Sequence, residues 1–205
     1  MNYMFICSMF KIFLSCFLLF YSCSSGYSQE YQSYKNSLKI TFLSFATGST
    51  KLSFERSVSA NQSIEITGGL IGLGFDGMHN NPSGGLFRYP HKLFFSHNSQ
   101  YLLEGMYIKP EFALSSFNYD FEEDNFIRKK STMGTLLACF GYQWRKKVLV
   151  VDSFVGLGGA LGNECNTSYQ HGFILWDFFN THCKYISFTF GVKFGVNFGK
   201  DTKGT

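Results

Sequence analysis

Residues 186–198 read Ile186-Ser187-Phe188-Thr189-Phe190-Gly191-Val192-Lys193-Phe194-Gly195-Val196-Asn197-Phe198, and every even position is apolar while every odd one is Ser, Thr, Gly, Lys or Asn. Side chains on a β-strand alternate between its two faces, so this segment is a strand with one apolar face and one small or polar face. In a water-soluble sheet the apolar face packs on a core. In an outer-membrane barrel it meets lipid, and the polar face lines the interior. Which of these holds decides the class of function.

The chain has 205 residues, enough for one domain, with 25 Phe, 12 Tyr and only 3 Pro, and its mean hydropathy is −0.03. Its one long apolar run, Ile12 to Tyr21, follows Lys11 and precedes the small, polar stretch Ser22 to Ser28. That is the layout of a secretory signal peptide. Initiation at Met9 would give a cleaner basic start, Met-Phe-Lys. The expected division is a signal peptide over 1–29 and a barrel domain over 30–205, with cleavage after Ser28 or Gln29. Lipid attachment at Cys23 is the other option for processing, although Phe20-Tyr21-Ser22 departs from the Leu-Ala-Gly type that precedes a lipidated cysteine. With the leader removed, Cys139, Cys165 and Cys183 remain. In an oxidising envelope Cys165 and Cys183 would close a loop of about 19 residues, worth about 3 kcal/mol, while Cys139 stays free. Three unpaired thiols is the alternative, because spacing alone does not set pairing.

Seven further segments carry the same alternation: Ser37 to Phe45, Thr50 to Val58, Ser63 to Phe75, Leu86 to Phe95, Gly105 to Asn118, Ser131 to Trp144 and Val148 to Leu161. The fourth is the weakest, because Pro90 cannot donate to a ladder. Pro90 and Pro110, in neighbouring strands, predict local bulges. The connections alternate in length. Turns fall at 59–62, 96–104 and 145–147 and longer loops at 76–84, 119–130 and 162–184, the brief first hairpin apart. Short turns on one rim and long loops on the other fit an outer-membrane barrel with both termini on the periplasmic side.

A tilted spanning strand needs about 9 to 11 residues, and several of these segments reach that without a central charge on the apolar face. In hydrocarbon an unpaired backbone group costs several kcal/mol, so the sheet must close. The expected fold is therefore all-β: a single eight-stranded antiparallel up-and-down transmembrane barrel, whose interior is just wide enough for side chains to fill. The polar faces collect Lys39, Lys51, Glu55, Glu65, Arg88, Lys92, Lys109, Glu111, Gln143, Asp152 and Lys193. Charges withdrawn from water persist when paired and hydrogen-bonded, so this set reads as an internal salt-bridge plug with no aqueous channel. The sharper alternative makes Glu65 or Asp152 part of a catalytic or proton-conducting site.

No catalytic signature is present, and no cofactor is expected. Gly72-Leu73-Gly74 and Gly156-Leu157-Gly158-Gly159 lie in strands and open no helix, so they are packing glycines and not a dinucleotide fingerprint. Cys165, His171, His182 and Cys183 match no zinc-site spacing. Ser168, His171 and Asp177 have nothing that would set a triad's geometry. The run 173–179, with Phe173, Trp176, Phe178 and Phe179, is apolar for a loop. It predicts packing on the rim, a place among lipid headgroups, or contact with a surface partner. The net charge of +4 is mild and scattered, which speaks against nucleic acid. Arg145 to Lys147 and the pair Lys129-Lys130 are candidates for contact with anionic lipid headgroups or lipopolysaccharide phosphates.

Taken together, Asn36-Ser-Leu-Lys-Ile40, Leu52-Ser-Phe-Glu-Arg56, Gly105-Met-Tyr-Ile-Lys-Pro-Glu111, Gly141-Tyr-Gln-Trp144 before Val151-Asp152, and the Phe- and Gly-rich last strand resemble a family of small outer-membrane β-barrel proteins of unknown function from Gram-negative bacteria, with the eight-stranded OmpA/OmpX-like architecture. The resemblance implies a porin-like fold in the cell outer membrane and carries no catalytic residues. The last aromatic residue, Phe198, is followed by seven more, unlike the terminal aromatic typical of such barrels. The expected function is a non-enzymatic, monomeric outer-membrane barrel in contact with outer-membrane lipids, acting structurally or through exposed loops. Two other classes stay open: an outer-membrane lipid-modifying enzyme, and a soluble secreted barrel that binds an apolar ligand. The second would invert the faces, and so many large rings would overfill an eight-stranded lumen.

Overall fold

The computed structural model describes residues 34–75, 79–95, 103–121, 127–162 and 186–200. They form eight strands: β1 (Tyr34–Thr41), β2 (Ser49–Ser59), β3 (Gln62–Ile71), β4 (Asn80–Phe94), β5 (Gly105–Phe121), β6 (Ile127–Lys146), β7 (Leu149–Gly162) and β8 (Ile186–Lys200). Each pairs antiparallel with the next, and β8 returns to pair with β1 from Tyr34 opposite Lys200 to Thr41 opposite Lys193. The result is a closed up-and-down barrel, the architecture that alternation and the family resemblance both imply. Closure leaves no edge strand whose backbone groups would need a partner.

The faces are settled by exposure. Phe140 and Leu136 on β6 are 50% and 67% exposed, whereas Lys39, Glu65 and Asp152 are at 1%, 0% and 0%. The exposed phenylalanines and leucines stand on the outside of the cylinder and the buried charged groups on the inside, where Phe94, Phe117, Phe154, Leu86 and Leu137 also turn. The inverted arrangement required by a soluble barrel with an apolar pocket is overturned by this distribution. On β5, Met106, Ile108, Phe112 and Leu114 are all exposed along nine residues, within the span a tilted membrane strand needs. Beyond Leu114 the outward positions turn polar. Thr132 and Ser116 hydrogen-bond at 3.1 Å, and Arg128 pairs with Asp120 at 3.6 Å.

Several boundaries differ from those read in the sequence. The first strand stops at Thr41, because Phe42–Thr47 coils into a 3-10 turn that ends on Gly48 in the left-handed region (φ 73°), a conformation that suits glycine. This turn packs on the next loop of the same rim, with Gly72 N–H donating to Gly48 O at 2.8 Å and the Phe45 and Phe75 rings edge to face. The 119–130 loop is shorter than read, since β5 runs to Phe121 and β6 starts at Ile127. Likewise β4 begins at Asn80, inside the expected 76–84 loop, and β6 runs through Arg145 to Lys146. The prolines make no bulge. Pro90 stays in register with Glu111 and Pro110 with Ala138. Pro90 instead falls in a gap of the β3–β4 ladder, between the pairs Ile64–His91 and Thr67–Arg88, where a donor would have been needed. The register shifts lie between Asn80 and Ser83, beside Pro82, and between Ser57 and Ser59.

Candidate functional site

Alternation sends one face of every strand into the lumen, the odd-numbered residues on β1, β2, β3, β5, β6 and β8 and the even-numbered ones on β4 and β7, and there the charges meet. Glu55 of β2 is the most heavily bonded. Its carboxylate accepts from Ser63 Oγ at 2.5 Å, Ser37 Oγ at 3.1 Å, Gln143 Nε2 at 3.1 Å and Arg145 Nη2 at 3.2 Å, and lies 2.7 Å from Lys39 Nζ. Asp152 of β7 takes Lys92 Nζ at 2.5 Å and Lys39 Nζ at 3.1 Å on one oxygen and the Tyr107 hydroxyl on the other. Glu65 of β3 pairs with Lys193, with Lys92 at 3.1 Å and with Lys39 at 3.3 Å. Gln143 is poised between charges of both signs. Its carbonyl accepts from Lys39 at 2.8 Å and Lys92 at 2.9 Å, while its amide donates to Glu55. Every one of the eight strands contributes a member, so the network ties the closed cylinder across its middle.

A second cluster involves the same lumen. Arg88 of β4 grips Glu111 of β5 through Nε (2.6 Å) and Nη2, and Lys109 Nζ lies 2.9 Å from the other carboxylate oxygen. The Phe154 ring supplies its face to Lys109 at 3.5 Å, with Lys193 and Arg88 at 5.3 and 5.7 Å from its centroid. The large side chains fit because glycines lie beneath them. A Cβ on Gly141 would stand 2.4 Å from the Tyr107 ring, and one on Gly191 would stand 3.0 Å from Phe154.

All eleven polar residues drawn from the sequence are buried, and ten of them bond or pair with another group in the lumen. Lys51 has neither a hydrogen bond nor an ion pair among the described residues. Arg145, assigned in the sequence to a basic turn facing lipid headgroups, is a correction. It is 2% exposed, donates to Tyr34 O at 3.3 Å and pairs with Glu55. The signal was present, since Arg145 shares parity with Gln143 on one strand. Tyr107 and Phe154 were missed for the opposite reason: aromatic residues look like outer-face residues until parity with Lys109 and Asp152 is followed. Lys129, offered as a lipid contact, lies 3.4 Å over the Phe121 ring. Cys139 is a buried free thiol, and Cys165, Cys183, Phe173, Trp176, Phe178, Phe179 and the histidines near them lie outside the described residues, as does the leader. No cluster of three or more His, Cys, Asp or Glu suited to a metal occurs among the described residues.

No family model matches the chain, and no curated protein matches it. Among solved structures it is similar to the N-terminal β-barrel domain of Pseudomonas aeruginosa OprF. That likeness covers 82% of this chain and 99% of the domain, at 14% identity and a TM-score of 0.46.

Proposed function

We propose that the chain is a non-enzymatic integral outer-membrane protein, a barrel whose ionic side chains plug its own lumen and whose role is structural or exercised through its exposed rim. The observation that carries this reading is the inside-out distribution of side chains. Seven buried cations and four buried carboxylates sit within a shell of exposed Phe, Leu, Ile and Met. A soluble protein would lose the hydrophobic contribution of that shell, whereas acyl chains cover it. The same distribution supports the plug. Glu65 and Asp152, the residues a catalytic reading would need, are fully buried, and their oxygens are held by lysines and a tyrosine.

Detergent-extracted membranes run on a gel with and without heating test the location, and planar-bilayer recording of the refolded protein tests the plug. Heat-modifiable migration with no steady ionic conductance is expected. A soluble, heat-insensitive protein would overturn the location, and an open aqueous conductance would overturn the plug.

A further inference from the structure

We propose that the lumen holds a small monovalent anion, of the halide class, between Lys51 of β2 and Thr41 of β1. Lys51 is completely buried, and its ammonium has no hydrogen bond or ion pair among the described residues. The Thr41 hydroxyl is buried at 3% exposure and also lacks a partner there. The two groups are neighbours by register. Ile40 pairs with Leu52, which brings the next inward residue of β1, Thr41, alongside Lys51. Thr41 is flanked on its other side by Lys193, its register partner on β8. Lys51 therefore stands among Lys193, Arg88 and Glu111, and Glu111 is itself occupied by Arg88 and Lys109.

Charge leads to the same place. With every group ionised the described lumen carries three more positive than negative charges. Burying an uncompensated ammonium is costly, and water accepting its protons leaves the charge unbalanced. A compact anion accepts from the ammonium and the hydroxyl together and neutralises part of the surplus. An anion held between two groups at one register position meets both with a single atom, and a single-atom ion brings no further oxygens that would need donors elsewhere in the lumen. A single-atom ion suits the pair better. The inference rests on the geometry of the lumen, independently of where the barrel resides.

Bromide is the probe. Crystals of the refolded full barrel grown in sodium bromide should show an anomalous peak within about 3.5 Å of Lys51 Nζ and Thr41 Oγ1, and Lys51→Met should remove it. In solution, urea-induced unfolding of the wild type should be several-fold slower in bromide than in gluconate at equal ionic strength. Lys51→Met should abolish that ratio and Thr41→Val should reduce it, so the second variant serves if the first does not fold. Absence of the peak would overturn the proposal, as would a bromide effect of unchanged size in the variants. A lysine buried as the neutral amine would give the first of these results.

Discussion

Lys193 of β8 and Asp152 of β7 are register partners on adjacent strands, yet the Lys193 ammonium is bonded to Glu65 of β3, while Asp152 takes Lys39 and Lys92. The nearest opposite charges in the sheet are not the partners in the lumen. In a narrow cylinder, long side chains reach inward past their strand neighbours, so ion pairs join strands the backbone ladder never brings together. Breaking such a pair leaves a charge stranded in a region from which water is excluded, and the cost exceeds that of an exposed pair.

Asp152→Asn tests this. The substitution keeps the shape of the side chain but removes the countercharge from Lys39, Lys92 and the Tyr107 hydroxyl. A loss of about 3 to 5 kcal/mol in urea unfolding of the folded barrel is expected. A change within about 0.5 kcal/mol would mean that the network contributes little to holding the cylinder closed.

Phe190→Arg examines the outer face. Phe190 pairs with Val155 on β7 and packs against Phe188 on the lipid side of the proposed orientation. An arginine near the bilayer midplane costs about 2 to 4 kcal/mol, so vesicle insertion should fail or slow markedly. Normal yield of the heat-modifiable form would count against a lipid-facing β8.

Gly141→Ala addresses packing. Its new Cβ would meet the Tyr107 ring at 2.4 Å and Ser153 O at 2.6 Å, one a side chain and the other fixed backbone. A destabilisation of about 1 to 3 kcal/mol is expected from urea midpoints. Because Ser153 O cannot move aside, Tyr107→Ser should restore only part of it.

A pH dependence is expected from Glu104, in the turn before β5. Partial burial pushes its carboxyl above the usual range, against the pull of Arg145. The folded barrel then holds this proton more tightly than the unfolded chain does. The associated stability is present at acid pH and lost as pH rises through the folded value. Glu104→Gln should match the wild type at about pH 4 and exceed it at about pH 7 in paired unfolding curves. A constant difference at both values would show that the carboxyl does not titrate in this way.

The number of strands, their order and the face each residue takes were legible in the chain, because alternation is a local consequence of the pleated backbone. It holds for Lys39 and Leu38 whatever lies elsewhere. Strand ends were less so. Phe42 continues the alternation of β1, and only packing of the Phe42–Thr47 turn against the Gly72 to Phe75 loop shows that the strand has stopped. Arg145 carried the correct parity but looked like a turn residue beside Lys146 and Lys147, and its burial became visible once Glu55 and Tyr34 were found next to it. Apart from the same-strand pair Lys109 and Glu111, the choice of ionic partners lay with the tertiary structure. Closing the sheet staggers the strands, and that stagger sets which buried carboxylate each lysine can reach and leaves Lys51 with none.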